Sequence, residues 1–106
     1  MNAWATILLY SVLLSSSIHQ DQEHHLRLEY DELAAHADAL IEIADNLEAS
    51  LREQGFAIHP DIASARNHLV AAMDAASDAL ARRDWKELRR SLERARGWVD
   101  RLRRKL

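Results

Sequence analysis

The stretch LRLEYDELAAHADALIEIADNLEASL, Leu26 to Leu51, decides the fold. Leu26, Leu33, Leu40 and Leu47 recur every seven residues, and Tyr30, Ala37, Ala44 and Leu51 follow each by four. That alternation over four heptads is the signature of a helix with one buried seam. Ala34, Ile41 and Ile43 widen the stripe, which predicts more than one neighbouring helix. Asp31, Asp38 and Asp45 share the opposite edge and are expected in water. The helix is expected over about 21–54. Gly55 suits the left-handed residue that closes it, with Phe56 folding back toward Leu51 in a Schellman turn.

Downstream, Pro60-Asp61 opens a helix over about 60–82, since proline suits a first helical turn. Its expected face is Ile62, Leu69, Met73, Ala76 and Leu80, with Ala65, Ala72 and Ala79 alongside. Asp84, followed three residues on by Glu87, resembles a capping box and opens a last helix to about 105. Trp85, Leu88, Leu92, Ala95, Val99, Leu102 and Leu106 give it a heptad seam. The expected fold is all-α: an N-terminal hydrophobic leader helix, then an antiparallel three-helix bundle made of a long helix and a helical hairpin. The last two helices span roughly 33 Å each. They are expected to cover the C-terminal two-thirds of the long helix, leaving about residues 21–32 projecting. Leu26, Tyr30 and Leu33 would then form a self-association seam.

Upstream, Ala3 to Leu14 holds only Thr6, Tyr10 and Ser11 among residues that are not plainly apolar. Its apolar side chains point all round a helix, unlike a bundle stripe. Residues 1–17 fit the apolar core of a signal peptide, with Ser15-Ser16-Ser17 as small residues for cleavage. The alternatives are an uncleaved membrane anchor and a buried helix of the domain. A basic n-region is missing, and the run is short beside the roughly 20 residues of a bilayer span. The first two readings put the chain's remainder, 18–106, outside the cytoplasm, exported, periplasmic or anchored.

Composition narrows the function classes. The 106 residues suffice for one domain, and two Gly and one Pro provide too few turns for a sandwich or barrel. The absence of cysteine excludes disulfides, thiolate metal sites and a cysteine nucleophile. The formal charge of −3 is uneven. Residues 1–62 carry eleven acids against Arg27 and Arg52, a net of −9, while 63–106 carry twelve Lys/Arg against six acids, a net of +6. Such polarity suits a self-complementary assembly or an oppositely charged partner.

The candidate chemistry is sparse. His19, Asp21, Glu23, His24 and His25 lie together behind the leader, and imidazole with carboxylate suits zinc, nickel or copper. No His-x-x-x-His pair or His-Glu-x-x-His motif accompanies them, so a solvated polar linker is the competing reading. His36, beside Glu32, stands where a phosphotransfer helix would carry its histidine, but Ala39 and Leu40 replace the lysine and glycine expected after it. Arg89, Arg96 and Arg103 line one flank of the last helix and suit an anionic surface. Nucleic acid is disfavoured by the acidic long helix across the same small bundle. No serine lies in a Gly-x-Ser-x-Gly context, no glycine-rich phosphate loop exists and no small-molecule substrate site is evident. The resulting expectation is a non-enzymatic protein without a resident cofactor. It would act by coiled-coil-like self-association or partner binding in the cell envelope, with metal binding and anionic-surface binding as alternatives.

Overall fold

A computed structural model of the chain describes residues 3–106, with side chains from Gln20 onward. It holds three helices and no strand among the described residues: α1 (Ala3–Glu53), α2 (Pro60–Ala81) and α3 (Trp85–Lys105). The protein is thus an all-α three-helix bundle. The junction between leader and long helix contains neither Gly nor Pro, and α1 passes through it. The signal-peptide or anchor reading of 1–17 falls on residues whose side chains lie outside the described ones.

The helix ends form as their chemistry dictates. Gly55 takes φ +84°, and the Phe56 and Gly55 N–H groups donate to Leu51 and Arg52 carbonyls, the paired bonds of a Schellman turn. Ahead of Pro60, His59 caps α2 by accepting the Asp61 N–H on Nδ1 at 3.1 Å. That cap was not legible in the sequence, because histidine is not a usual N-cap residue. The α2–α3 link, residues 82–84, does two jobs at once. The Asp84 and Arg83 N–H groups donate to Ala79 and Leu80 carbonyls in a second Schellman turn, while Asp84 Oδ1 accepts the Glu87 N–H. Only this half of the capping box forms. The Asp84 N–H is already used, and Glu87 Oε1 instead accepts from Ser91 and Arg94.

Arg83 therefore sits at φ +57°, in the left-handed region that favours glycine. Arg83→Gly is expected to stabilise the bundle by about 0.5–1 kcal/mol, a rise of about 3–5 °C in Tm. Arg83→Ala should bring no gain. A thermal melt in which the glycine variant unfolds earlier than wild type would count against the strain.

The core departs from the expected face of α2. Ala65, Ala72, Ala76 and Ala79 are buried with Leu69, whereas Ile62, Met73 and Leu80 are only half-buried flanks. Alanine forms the central ridge because its small side chain lets α2 lie close to both neighbours. The other helices match: Ala37 and Ala44 of α1 are fully buried, as are Leu88, Ser91 and Ala95 of α3. Ser91 is a polar group in an apolar seam. Its hydroxyl donates to Glu87 at 3.3 Å and accepts from Arg94 at 3.1 Å, so it is not left unsatisfied.

The register along α1 is also corrected. Residues 21–32 do not project. Leu26 is buried in a cluster with Ala76, Ala79, Leu88 and Leu92, flanked by Tyr30, Leu33, Leu80 and Trp85. Within the part of α1 whose side chains are described, the surplus lies at the other end, where Ile43 and Leu47 are exposed, as is Phe56 just beyond the helix. The link at residues 54–59 explains this. After the turn at Gln54–Gly55, the four residues 56–59 reach roughly 13 Å when extended, about the rise of nine helical residues. The chain can therefore leave α1, double back and begin α2 well before the end of α1. Ala37 and Ala44 then seat the hairpin where close approach is possible.

Candidate interaction surface

Three surface regions arise from this packing. The first is the closed tip of the α2–α3 hairpin. Trp85 opens α3, is half-buried and packs on the cluster around Leu26, which pins the tip beside Leu26 and Arg27 of α1. The Arg27 guanidinium lies 5.6 Å from the Trp85 ring centroid, a cation–π contact between α1 and α3. Arg89 borders a shallow cleft with Gln22, Glu23, Leu26 and Trp85. Arg83, Lys86, Arg89 and Arg90 are exposed and form no ion pair among the described residues.

The second region is the open end. Beyond the buried Ala44, Leu47 and the neighbouring Ile43 are exposed, and Phe56 is 64% exposed. Phe56 and Ile58 border a cleft with Glu48, Arg52, Gly55 and Ala57. The Schellman turn holds the Phe56 backbone, yet its ring is left largely in water.

The third is an open cleft of about 270 Å³ between α1 and α3, floored by Leu33 and Val99. Glu29, Glu32, His36, Arg96, Asp100 and Arg103 rim it. The mixed charge is largely self-compensated. Arg96 pairs with Glu29 at 2.6 Å, and Arg103 lies 3.9 Å from Asp100. His36 is exposed on this rim.

The basic flank foreseen on α3 is therefore divided by its surroundings. Arg96 is tied to α1 and Arg103 turns toward the cleft, while Arg89 stands at the tip. Arg66 of α2, only 16% exposed, reaches Asp45 at 3.1 Å and Glu48 at 2.9 Å. The charge asymmetry between the two halves is thus partly used within one chain: acids of α1 pair with cations of α2 and α3. Of the seam residues, Leu26 is buried and Tyr30 and Leu33 are half-buried against the hairpin. They serve the core and not a projecting self-association seam.

Of the residues considered for metal binding, those with described side chains form no cluster of three or more ligands. Asp21, His24 and His25 are exposed and Glu23 is half-buried; His19 lies outside the residues with described side chains. His25 Nε2 contacts Glu29 Oε1 at 3.0 Å, and Glu29 also holds Arg96. Among the described residues, no group of three or more His, Cys, Asp or Glu side chains is placed to hold a metal ion.

One cluster escaped the sequence reading as a unit. His68 of α2 stacks on Trp98 of α3, with ring centroids 4.3 Å apart and planes at 10°. The Arg101 guanidinium lies 4.6 Å from the Trp98 ring centroid. By its spacing along α2, His68 falls on the polar face of the helix, and it is exposed. Only the antiparallel pairing of α2 with α3 puts it against Trp98.

Among the described residues, no helix is long and apolar enough to cross a membrane. No protein-family model, curated protein or solved structure matches the chain.

Proposed function

We propose that this protein is a non-enzymatic helical bundle of the cell envelope, exported or membrane-anchored through residues 1–17. It acts by association with a second copy or an envelope partner. The observation that carries this reading is the open end of the bundle. Ile43, Leu47 and Phe56 stay exposed there although the same chain buries Leu26, Leu69, Leu88, Leu92 and Leu102 almost completely. Leu28 and Val70 are exposed singly elsewhere, whereas Ile43, Leu47 and Phe56 lie together, and a grouped apolar patch suits a contact surface. The membrane part rests on the uncharged, apolar run before Ile18. The buried set is alanine, leucine, valine and Ser91, and the Ser91 hydroxyl is committed to Glu87 and Arg94. That inventory suits a packing domain better than a catalytic one.

The test is the oligomeric state of the full chain in mild detergent, by light scattering, with Ile43→Ser/Phe56→Ser as the variant. Wild type is expected to associate with Kd below about 100 μM (about 5.5 kcal/mol), and the variant to be monomeric. An envelope partner instead would leave wild type monomeric but give a cross-link through position 56 that the variant loses. A wild-type monomer with no such cross-link would sink the proposal.

A further inference from the structure

We infer that the closed tip of the α2–α3 hairpin is a contact surface for the headgroups of an anionic bilayer. The inference rests on the reading of residues 1–17 as the membrane-attaching segment, and it names the face of the domain that meets that membrane.

Three observations converge on it. First, packing determines height. Leu26 is buried among Ala76, Ala79, Leu88 and Leu92, Arg27 stacks on Trp85, and Arg89 borders Gln22 and Glu23. Residues 82–90 therefore stand level with Gln22–Arg27, a few residues beyond the uncharged stretch that ends at Ile18. Some sixty residues of sequence separate the two, so only the tertiary fold brings the cations to the membrane-proximal end.

Second, the charges there are free. Arg82 is held by Asp78 and Glu87 by Arg94, and Asp84 caps α3. Arg27, Arg83, Lys86, Arg89 and Arg90 form no ion pair among the described residues, whereas Asp21 and Glu23 oppose them. The capping Asp84 keeps its charge, so five cations against three acids leave a local net of +2 on a chain whose formal charge is −3. Side chains on a helix lean toward its N-terminus, so Lys86, Arg89 and Arg90 incline toward the tip. Their long stems allow the charges to reach further.

Third, the tip carries the aromatic residue suited to such a place. Trp85 is half-buried at the very start of α3, one side on the core and one toward water. Tryptophan favours that amphipathic level at a membrane interface.

Binding of the full chain to neutral phosphatidylcholine vesicles and to vesicles with about 30% phosphatidylglycerol, at low salt, separates the possibilities. A net charge of −3 spread evenly would make the anionic vesicles the poorer binders. The tip surface instead makes them better by at least about tenfold, since each surface cation contributes about fivefold. Lys86→Gln/Arg89→Gln/Arg90→Gln is expected to lose about 100-fold of binding to the anionic vesicles. Arg101→Gln/Arg103→Gln/Arg104→Gln, the same charge change toward the other end of α3, should lose less than about tenfold. Far-UV circular dichroism confirms that both variants are folded.

Equal binding of wild type to the two vesicle types overturns the tip surface and leaves membrane attachment by residues 1–17 standing. Equal losses in the two triple variants overturn it as well. Binding to anionic vesicles alone, lost in the tip variant, supports the basic tip surface through its charges and Trp85 while removing the anchor reading and the argument from height with it.

Discussion

Leu88→Ala is expected to cost about 2–5 kcal/mol of stability, near the upper part of that range. Leu88 is fully buried, and its cluster includes Ala76 and Ala79. Truncating a leucine removes its transfer free energy and leaves a void whose cost depends on whether neighbours can collapse into it. Alanines have no side-chain length with which to do so, and α2 cannot move closer to α3 where alanine already sets the approach. A small domain holds only about 5–15 kcal/mol in total, so the variant should be unfolded over much of the denaturant range that wild type survives. Leu106→Ala, at a position 42% exposed, is the control and should change stability by less than about 0.5 kcal/mol. Urea unfolding followed by helicity checks both. A loss below about 1 kcal/mol for Leu88→Ala would contradict the close-packed seam.

The opposite change tests the alanine ridge itself. Ala76→Leu is expected to destabilise by about 1–3 kcal/mol, although it adds apolar surface to an apolar core. Ala76 has no accessible surface and faces Leu26, Leu88 and Leu92. Three added carbons must push α2 away from a neighbour or force a strained rotamer. Ala71→Leu is the matched control, because Ala71 is exposed on the same helix and should be nearly neutral. The two variants have identical composition and nearly identical helix propensity. Any difference therefore reports packing. If Ala76→Leu were as stable as Ala71→Leu, the helices would be more loosely packed than the burial of the ridge implies.

These two experiments concern the part of the fold that sequence pattern left open. Periodicity identified three helices and all but one of their ends, since Gly55, Pro60 and Asp84 act through local chemistry; the expected start near residue 21 is not an end, because α1 begins at Ala3. The seam of α1 was legible in part: Leu26, Ala37 and Ala44 are buried as their spacing demanded, Tyr30, Leu33, Leu40 and Leu51 are half-buried, and Leu47 is exposed. Periodicity did not rank the apolar residues of α2. A heptad face weighs leucine, isoleucine and methionine above alanine, whereas close helix contact selects alanine for the centre and sends Ile62, Met73 and Leu80 to the edges. Nor did periodicity give the register of the hairpin along α1. Leu26, Tyr30 and Leu33 looked free only if the hairpin sat toward the other end of α1.

The sequence by itself determined the helices, because turn residues and apolar spacing act within a few residues of the chain. It also determined the apolar leader and the charge polarity, which are properties of composition. Tertiary structure alone decided where the hairpin sits along α1, and with it which cations are paired and which are free. Arg96 is neutralised by Glu29, sixty-seven residues away, while Arg89 stands at the exposed tip. Sliding one helix along another keeps every heptad intact but changes every neighbour, so the choice belongs to side-chain volumes and link length across the whole bundle.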